Sequence, residues 1–558
     1  MRLGRKAGAT ALVPMILLSG CTGIVKGSDP VAAKPPEPPV GGPPLGGEEP
    51  AADARVRRLT ATEIERSIED VFLAGQPDEG PPGPRVLARE SFDNQIANLT
   101  VGADLLDWLV AKSERAAAKA STRWSTFAPC DVAAHGEAAC ARTFITTVGR
   151  RTFRRPLVSE EITRLTGLYA ATRKANDHAT SLATVIEAML QSPQFLFRSE
   201  LGAPQAKGAG NFVTLTPYER ASVLSYALWQ SAPDDALLDA AEGGELATPD
   251  GLKTSIARML ADPRSRRGVM AFLQQWLEID TPGAFVKDDP AATPAIRAAV
   301  VEQARLVLED LVFTKSASWK GLLSSSTTFL NGPLAAVLGA KGVTGDAFAR
   351  TTGDASKSAG LLTLPAFLAA HSPGKGSSPI FFGLFVRRRM LCLEMPSPPA
   401  APFPKSDPNV STRERYRQHT DDPKCRACHA LIDPIGYGFE RFDALGRYRE
   451  VETLAQGTVP LSGEGQLLDS DVDGPFIGVT ALAARLGEST MARSCFAKQM
   501  LTYLLGRSAA QTEYAGDERL VDGALRAPDT DATSMIAALL GNEALFTRDA
   551  RNLMEAKP

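Results

Sequence analysis

Histidine is scarce in this chain, with five in 558 residues, so any chemistry that needs an imidazole is confined to His135, His178, His371, His419 and His429. Several reactive motifs are missing altogether. There is no Gly-x-Ser-x-Gly nucleophile elbow, no Gly-rich phosphate loop ending in Lys-Ser/Thr, and no His-Glu-x-x-His pair, which removes the positive case for a hydrolase or a P-loop nucleotide enzyme. A basic excess is also absent: 61 Lys and Arg face 64 Asp and Glu for a net charge of −3, so nucleic acid is not an expected partner. Beyond the first twenty residues no apolar run is long enough to cross a bilayer, and no repeat of fixed period is found. The chain is nevertheless not poor in core-forming residues. With 44% hydrophobic and 22% charged residues it reads as globular, and its length predicts two to four domains.

What is present begins with an export signal. Arg2, Arg5 and Lys6 precede a short apolar run from Ala9 to Leu18, the charge-then-apolar order of a secretory signal rather than a membrane span. Leu18-Ser19-Gly20-Cys21 resembles a bacterial lipobox, which implies cleavage before Cys21, lipidation of that cysteine and, with Thr22 rather than aspartate next, an outer-membrane lipoprotein on the periplasmic or cell-surface side. The expected membrane contact is the lipid anchor alone. Such compartments permit disulfides. Cys130 and Cys140 lie close in a loop and suit a local bridge; Cys392 and Cys495 are left as a candidate long-range pair, whose connectivity sequence does not settle.

From Ser28 to about Ala54 the chain is rich in Pro, Gly, Ala and acids, a composition that favours extended conformations and reads as a tether. Helical punctuation follows. Thr60-Ala61-Thr62-Glu63 is a capping-box pattern and Thr216-Pro217-Tyr218-Glu219 repeats it; Thr248-Pro249 and Thr293-Pro294 mark further starts. Ile296, Val300, Ala304, Val307 and Leu311 recur at helical steps and predict one apolar face. Arg150, Arg151, Arg154 and Arg155 read as a solvated or ion-paired face, and Tyr226, Trp229 and Trp276 as core. Residues Gly339 to Ser358 and Pro396 to Pro402 read as linkers. A helix from Thr412 to about His419 and an amphipathic one around Met491–Leu505 complete the reading. The expected fold is mainly α and multi-domain: a signal peptide (1–20), the tether (21–54), helical modules (55–125, 126–205 and 206–345), a cysteine-pair module (346–455) and a C-terminal helical module (456–558).

The chemistry is concentrated in Cys425-Arg426-Ala427-Cys428-His429. Two cysteines separated by two residues and followed at once by histidine form the attachment pattern for c-type haem. The thiols add to the two porphyrin vinyl groups and the adjacent imidazole reaches the iron. Covalent haem c is therefore the expected cofactor, with His429 as proximal ligand and a carbonyl in the Ile432-Asp433-Pro434 turn as acceptor for its second nitrogen. His419 is the first candidate for the distal position, with Met395, Met500 and His371 as alternatives. A histidine or methionine there suits electron transfer; an open position suits peroxide or oxygen chemistry. Glu440, Asp443 and Arg447 follow at spacings of three and four, for a haem propionate contact, an acid–base pair or an ion-pair ladder. Zinc would need further thiolate or imidazole ligands, and a thioredoxin-like dithiol would need a βαβ context.

The order of motifs extends this. Arg57-Arg58-Leu59-Thr60, Arg151-Thr152-Phe153-Arg154-Arg155-Pro156-Leu157, Leu224-Ser225-Tyr226-Ala227-Leu228-Trp229, Arg258-Met259-Leu260-Ala261-Asp262-Pro263-Arg264, the stretch from His419 to Arg449, and Met500-Leu501-Thr502-Tyr503-Leu504-Leu505-Gly506-Arg507 together resemble a family of exported planctomycete and myxobacterial proteins. That family is built of successive domains of unknown function and is grouped with planctomycete cytochrome c modules. One departure is Phe381-Phe382-Gly383, where the family more often has arginine before the glycine. The expectation is an exported, lipid-anchored, mono-haem c-type cytochrome-like protein transferring electrons to or from a redox partner that the sequence does not name. The alternatives are a haem-free surface scaffold or binding protein with a Cys425–Cys428 disulfide, and a haem peroxidase or oxygenase.

Overall fold

Threonine sets the start of helix after helix. In the computed structural model, which describes residues 52–85, 91–203, 212–280, 283–372, 376–395, 407–421, 423–507, 515–526 and 531–551, helix α1 (Ala61–Phe72) opens with a complete capping box. The Glu63 amide donates to Thr60 Oγ1 at 3.0 Å and the Thr60 amide donates to Glu63 Oε2 at 2.7 Å, so two amides that lack helical partners are satisfied. The N-terminal layer continues with α2 (Ala103–Ser121), α3 (Glu137–Phe153), α4 (Ser159–Thr172) and α5 (His178–Leu190). Their apolar faces close one core around Ile64, Phe72, Phe144, Ile186 and Phe195.

Helix α6 (Pro217–Leu228) repeats the box, with the Glu219 amide on Thr216 Oγ1. It forms a wall shared by two cores: Tyr226 belongs to the first, whereas Leu224 and Leu228 belong to a second, larger one. Helices α7 (Pro249–Ala261), α8 (Ser265–Trp276) and α9 (Pro294–Glu309) line the larger core. Thr248 and Thr293 cap α7 and α9, and Ile296, Val300, Ala304, Val307 and Leu311 are all buried. Trp229 and Trp276 are fully enclosed.

Strands are few and short among the described residues. β1 (Ala52–Asp53) runs parallel to the strand Thr547–Asp549, which also pairs antiparallel with Phe212–Thr214. β2 (Arg55–Arg58) pairs antiparallel with β3 (Phe197–Glu200). Ala52 and Asp53, tether by composition, are thus strand, because a partner almost five hundred residues away supplies their hydrogen bonds. The stretch from Gly339 to Ser358 is likewise not a bare linker: Ala349–Thr352 pairs antiparallel with Thr327–Leu330.

The C-terminal half is built from α10 (Pro365–Ala370), α11 (Pro379–Leu384), α12 (Thr412–Thr420), α13 (Pro423–Gly436), α14 (Gly478–Glu488) and α15 (Thr490–Leu505). Helix α15 is not simply amphipathic. Cys495, Phe496, Ala497, Met500, Leu501, Tyr503 and Leu504 are buried around most of its circumference, as befits a helix surrounded by others. Disulfides join Cys130 to Cys140 and Cys392 to Cys495. Among the described residues no helix is long and apolar enough to cross a membrane.

Candidate functional site

Pro423 opens α13, where a missing N–H costs nothing. The helix then runs without a break through the whole Cys425-to-His429 segment. Positions 425, 428, 429, 432, 433 and 436 fall on one face at helical spacing; Arg426, Ala427 and Ala430 on the other face are exposed. The expected turn at Ile432-Asp433-Pro434 is absent. Pro434 sits in the last helical turn, and the carbonyl it leaves without an amide belongs to exposed Ala430, where water serves.

Because the backbone stays helical, His429 finds a different acceptor from the carbonyl expected. Its Nδ1–H donates to the carboxylate of Asp433, one turn on, at 3.0 Å to Oδ1 and 3.1 Å to Oδ2. Asp433 is buried and also accepts the Thr420 hydroxyl of α12 at 2.7 Å. A buried carboxylate needs such donors, since desolvation penalises an unpaired charge. The contact orients the ring and leaves Nε2 as the nitrogen directed away from the carboxylate. Cys425 is buried, Cys428 is half-buried, and both are free thiols.

Glycine lets a second helix approach. A Cβ at Gly383 would lie 2.1 Å from the Ile432 carbonyl oxygen, and one at Gly436 would lie 2.0 Å from that of Pro379. Helices α11 and α13 therefore pack backbone to backbone, antiparallel. At this contact Phe382 stacks on Phe439, centroids 4.3 Å apart and planes 4° from parallel. That stack occupies the position where the resembled family more often carries arginine. A small apolar cluster of Ile380, Tyr416 and Ile432, with Met395, Leu384 and Tyr437 against it, closes the space between α11, α12 and α13. Burial, with Asp433 close by, pushes the Tyr437 phenol well above its ordinary value.

The other sequence candidates separate by position. Met395 packs against that cluster, which includes Ile432 of α13. His419 is in the last turn of α12, the helix that supplies Thr420; its side chain lies outside the described residues, as does Cys21. His371 packs against Phe382 of α11, ring centroids 5.9 Å apart, and is committed to other partners. It is buried, donates from Nδ1 to the Phe367 carbonyl at 3.0 Å, and has Nε2 3.4 Å from Glu278 Oε2. Met500 is in the larger core with Val269, Phe272 and Tyr503. Glu440, Asp443 and Arg447 are not on a common helix: Glu440 pairs with Arg413, and Arg447 with Asp443 and Asp289. The four arginines of 150–155 have protein partners: Arg150 pairs with Asp239 and Glu242, Arg151 with Asp235 and Arg155 with Glu161, while buried Arg154 donates to the carbonyls of Gln194, Phe195 and Phe197. Among the described residues no group of three or more His, Cys, Asp or Glu side chains converges as a metal site.

Comparison with known families places these elements. Residues 140–200 match PSD5, a protein of unknown function (DUF1595); residues 215–339 match PSD4, a protein of unknown function (DUF1592); residues 358–452 match PSCyt3, a protein of unknown function (DUF1588). The chain belongs to this planctomycete cytochrome c-associated family of unknown function. The PSCyt3 portion spans α10 to α13 and contains Cys425, Cys428, His429 and Asp433; the PSD4 portion contributes the two enclosed tryptophans, and the PSD5 portion the arginine run. No curated protein and no solved structure matches the chain. Asp433 is the site residue that the sequence reading missed. Its separation of four from His429 would have identified it had the segment been read as helix through Pro434.

Proposed function

We propose that the protein is an exported, lipid-anchored, mono-haem c-type cytochrome-like protein that passes electrons to or from a partner protein. The observation that carries the reading is the single face of α13 bearing Cys425, Cys428 and His429, with the imidazole held by Asp433. This donor set fits the group. Two free thiols three residues apart on one helix suit the two vinyl positions, and an imidazole whose Nδ1–H is spent on a carboxylate presents Nε2 to iron. Bound there, haem supplies a one-electron couple.

The chain's own residues do the rest. Asp433 fixes the tautomer and orientation of His429, and Thr420 fixes Asp433. For the distal side, Met395 and His419 are the candidates on elements that adjoin α13. His371 is hydrogen-bonded to the Phe367 carbonyl and faces Glu278, and Met500 is enclosed in the larger core, which favours Met395 or His419. Lipidation at Cys21 would keep the protein at the outer membrane.

Haem staining after denaturing electrophoresis, with the full chain expressed in a host that has haem-attachment machinery, tests the reading. A stained band that disappears in the Cys425→Ser, Cys428→Ser double variant is expected. No stain in well-loaded full-length protein would leave the haem-free scaffold. Carbon monoxide binding to the reduced protein would turn the assignment from electron transfer toward an open, peroxidase-like site. Mass spectrometry of the N-terminal peptide checks for a lipidated Cys21.

A further inference from the structure

One buried carboxylate is shared by two side chains, and the second of them stands between two acceptors. Asp433, 1% exposed, takes the His429 Nδ1–H on Oδ1 at 3.0 Å and, less closely, on Oδ2 at 3.1 Å. The Thr420 hydroxyl lies 2.7 Å from Oδ2. It also lies 3.0 Å from the Tyr416 carbonyl, one turn back in α12. A hydroxyl has a single hydrogen to give. Donation to the carbonyl four residues back is the ordinary local habit of a helical threonine. Here the carboxylate is both the closer acceptor and the charged one, and charge-assisted bonds are the stronger, so the hydrogen goes to Asp433. Among the described residues no third side chain donates to this carboxylate.

The hydroxyl is held in place by α12 as a whole. At the far end of the helix the Thr412 amide and hydroxyl donate to Glu452 at 2.9 and 2.6 Å, and the Arg413 guanidinium donates to buried Glu440 at 3.1 and 2.9 Å. Between the ends, Tyr416 is buried with Ile380 and Ile432. None of these fastenings uses His429 or a thiol. An anionic acceptor on Nδ1–H raises the basicity of an imidazole toward a metal at Nε2. A further hydrogen bond on that anion spreads its charge, and in buried surroundings the effect is little screened.

We propose that Thr420 is a positioning residue that tunes the iron: its hydroxyl draws charge from Asp433, makes His429 a weaker donor, and so holds the midpoint potential above the value that Asp433 would impose by itself. The inference rests on the haem reading given above and adds a direction to it, since Asp433 and Thr420 act with opposite sign.

Potentiometric titration of haem-stained, full-length protein tests this. Thr420→Val keeps the side-chain shape and loses the hydroxyl, and the midpoint potential is expected to fall. Thr420→Ala should lower it as well and serves if the valine variant does not fold, whereas Thr420→Ser keeps both the hydroxyl and the potential. In an Asp433→Asn background the fall on Thr420→Val should be largely lost, as the coupling of two groups in one network requires. A shift that came only from loosened packing of α12 would persist there. A second readout needs no iron. In full-length protein carrying isotope-labelled histidine, the His429 Nδ1–H resonance, identified by its loss in His429→Gln, should move downfield in Thr420→Val, because a more fully charged acceptor pulls harder on the proton. A haem-stained Thr420→Val protein with unchanged potential, a fall of equal size in the Asp433→Asn background, or an unmoved His429 resonance overturns the inference. Absence of stain in the parent protein overturns the haem reading itself, and the tuning falls with it whatever the His429 resonance does.

Discussion

His429 and Asp433 are joined across one turn of α13, Nδ1 to Oδ1 at 3.0 Å, with the carboxylate 1% exposed. A solvated surface pair at this spacing contributes a few tenths of a kcal/mol; here the acceptor is buried and shared with Thr420. Asp433→Ala is therefore expected to cost about 1–3 kcal/mol, the penalty for stranding buried donors, as read by urea denaturation. In haem-loaded protein, Asp433→Asn should raise the midpoint potential, because the imidazole loses an anionic acceptor. Potentiometric titration measures this, and an unchanged potential would count against His429 as an iron ligand.

The contact of α11 with α13 predicts steric intolerance. Gly383→Ala and Gly436→Ala each force a methyl group against a backbone carbonyl, at 2.1 and 2.0 Å. Each should lose about 1–3 kcal/mol or more. Gly376→Ala is the control: its Cβ would stand 4.0 Å from Thr412 Oγ1, and a change within about 0.5 kcal/mol is expected.

Acid should act through Glu200. The surrounding arginines outweigh burial and hold its carboxyl below the usual carboxylate range. A depressed folded-state pKa stabilises above the unfolded value, near 4.5, and that stability is lost as pH falls toward the folded value. Glu200→Gln should flatten this acid limb in pH-dependent denaturation. It should also cost about 3–5 kcal/mol at neutral pH, since it leaves buried guanidiniums without their partner.

The two disulfides should differ in worth. Cys130–Cys140 spans 10 residues and Cys392–Cys495 spans 103. Chain-entropy reasoning gives about 2.7 kcal/mol for the short loop and about 4.7 kcal/mol for the long one. Paired Cys→Ala variants compared by denaturation check the order, and a larger loss from the short loop would contradict it.

Features of short range were legible in the residues. The capping boxes at Thr60 and Thr216 involve groups three residues apart, and the apolar face of α9 needs nothing beyond helical period. Asp433 was legible in principle and missed because Pro434 signalled a turn; a proline in a final turn removes one amide and leaves the rest of the helix in place. The strand at Ala52–Asp53 was not legible, since composition marks that stretch as tether and its partner is at Thr547–Asp549. Helix α15 misled in a different way. Its pattern suggested one wet face, whereas neighbouring helices cover most of it.

The sequence by itself determined where helices begin, that two thiols and an imidazole share a local unit, and which family the motifs belong to. These depend on covalent spacing and hydrogen bonds within a turn or two. Only the tertiary structure decided that His429 is held by a buried Asp433, that His371 and Met500 are engaged with other core partners, and that Arg57 is opposite Arg198. Each of those depends on burial and on register between segments far apart in the chain. Removal from water then sets what a charge or an unpartnered donor costs.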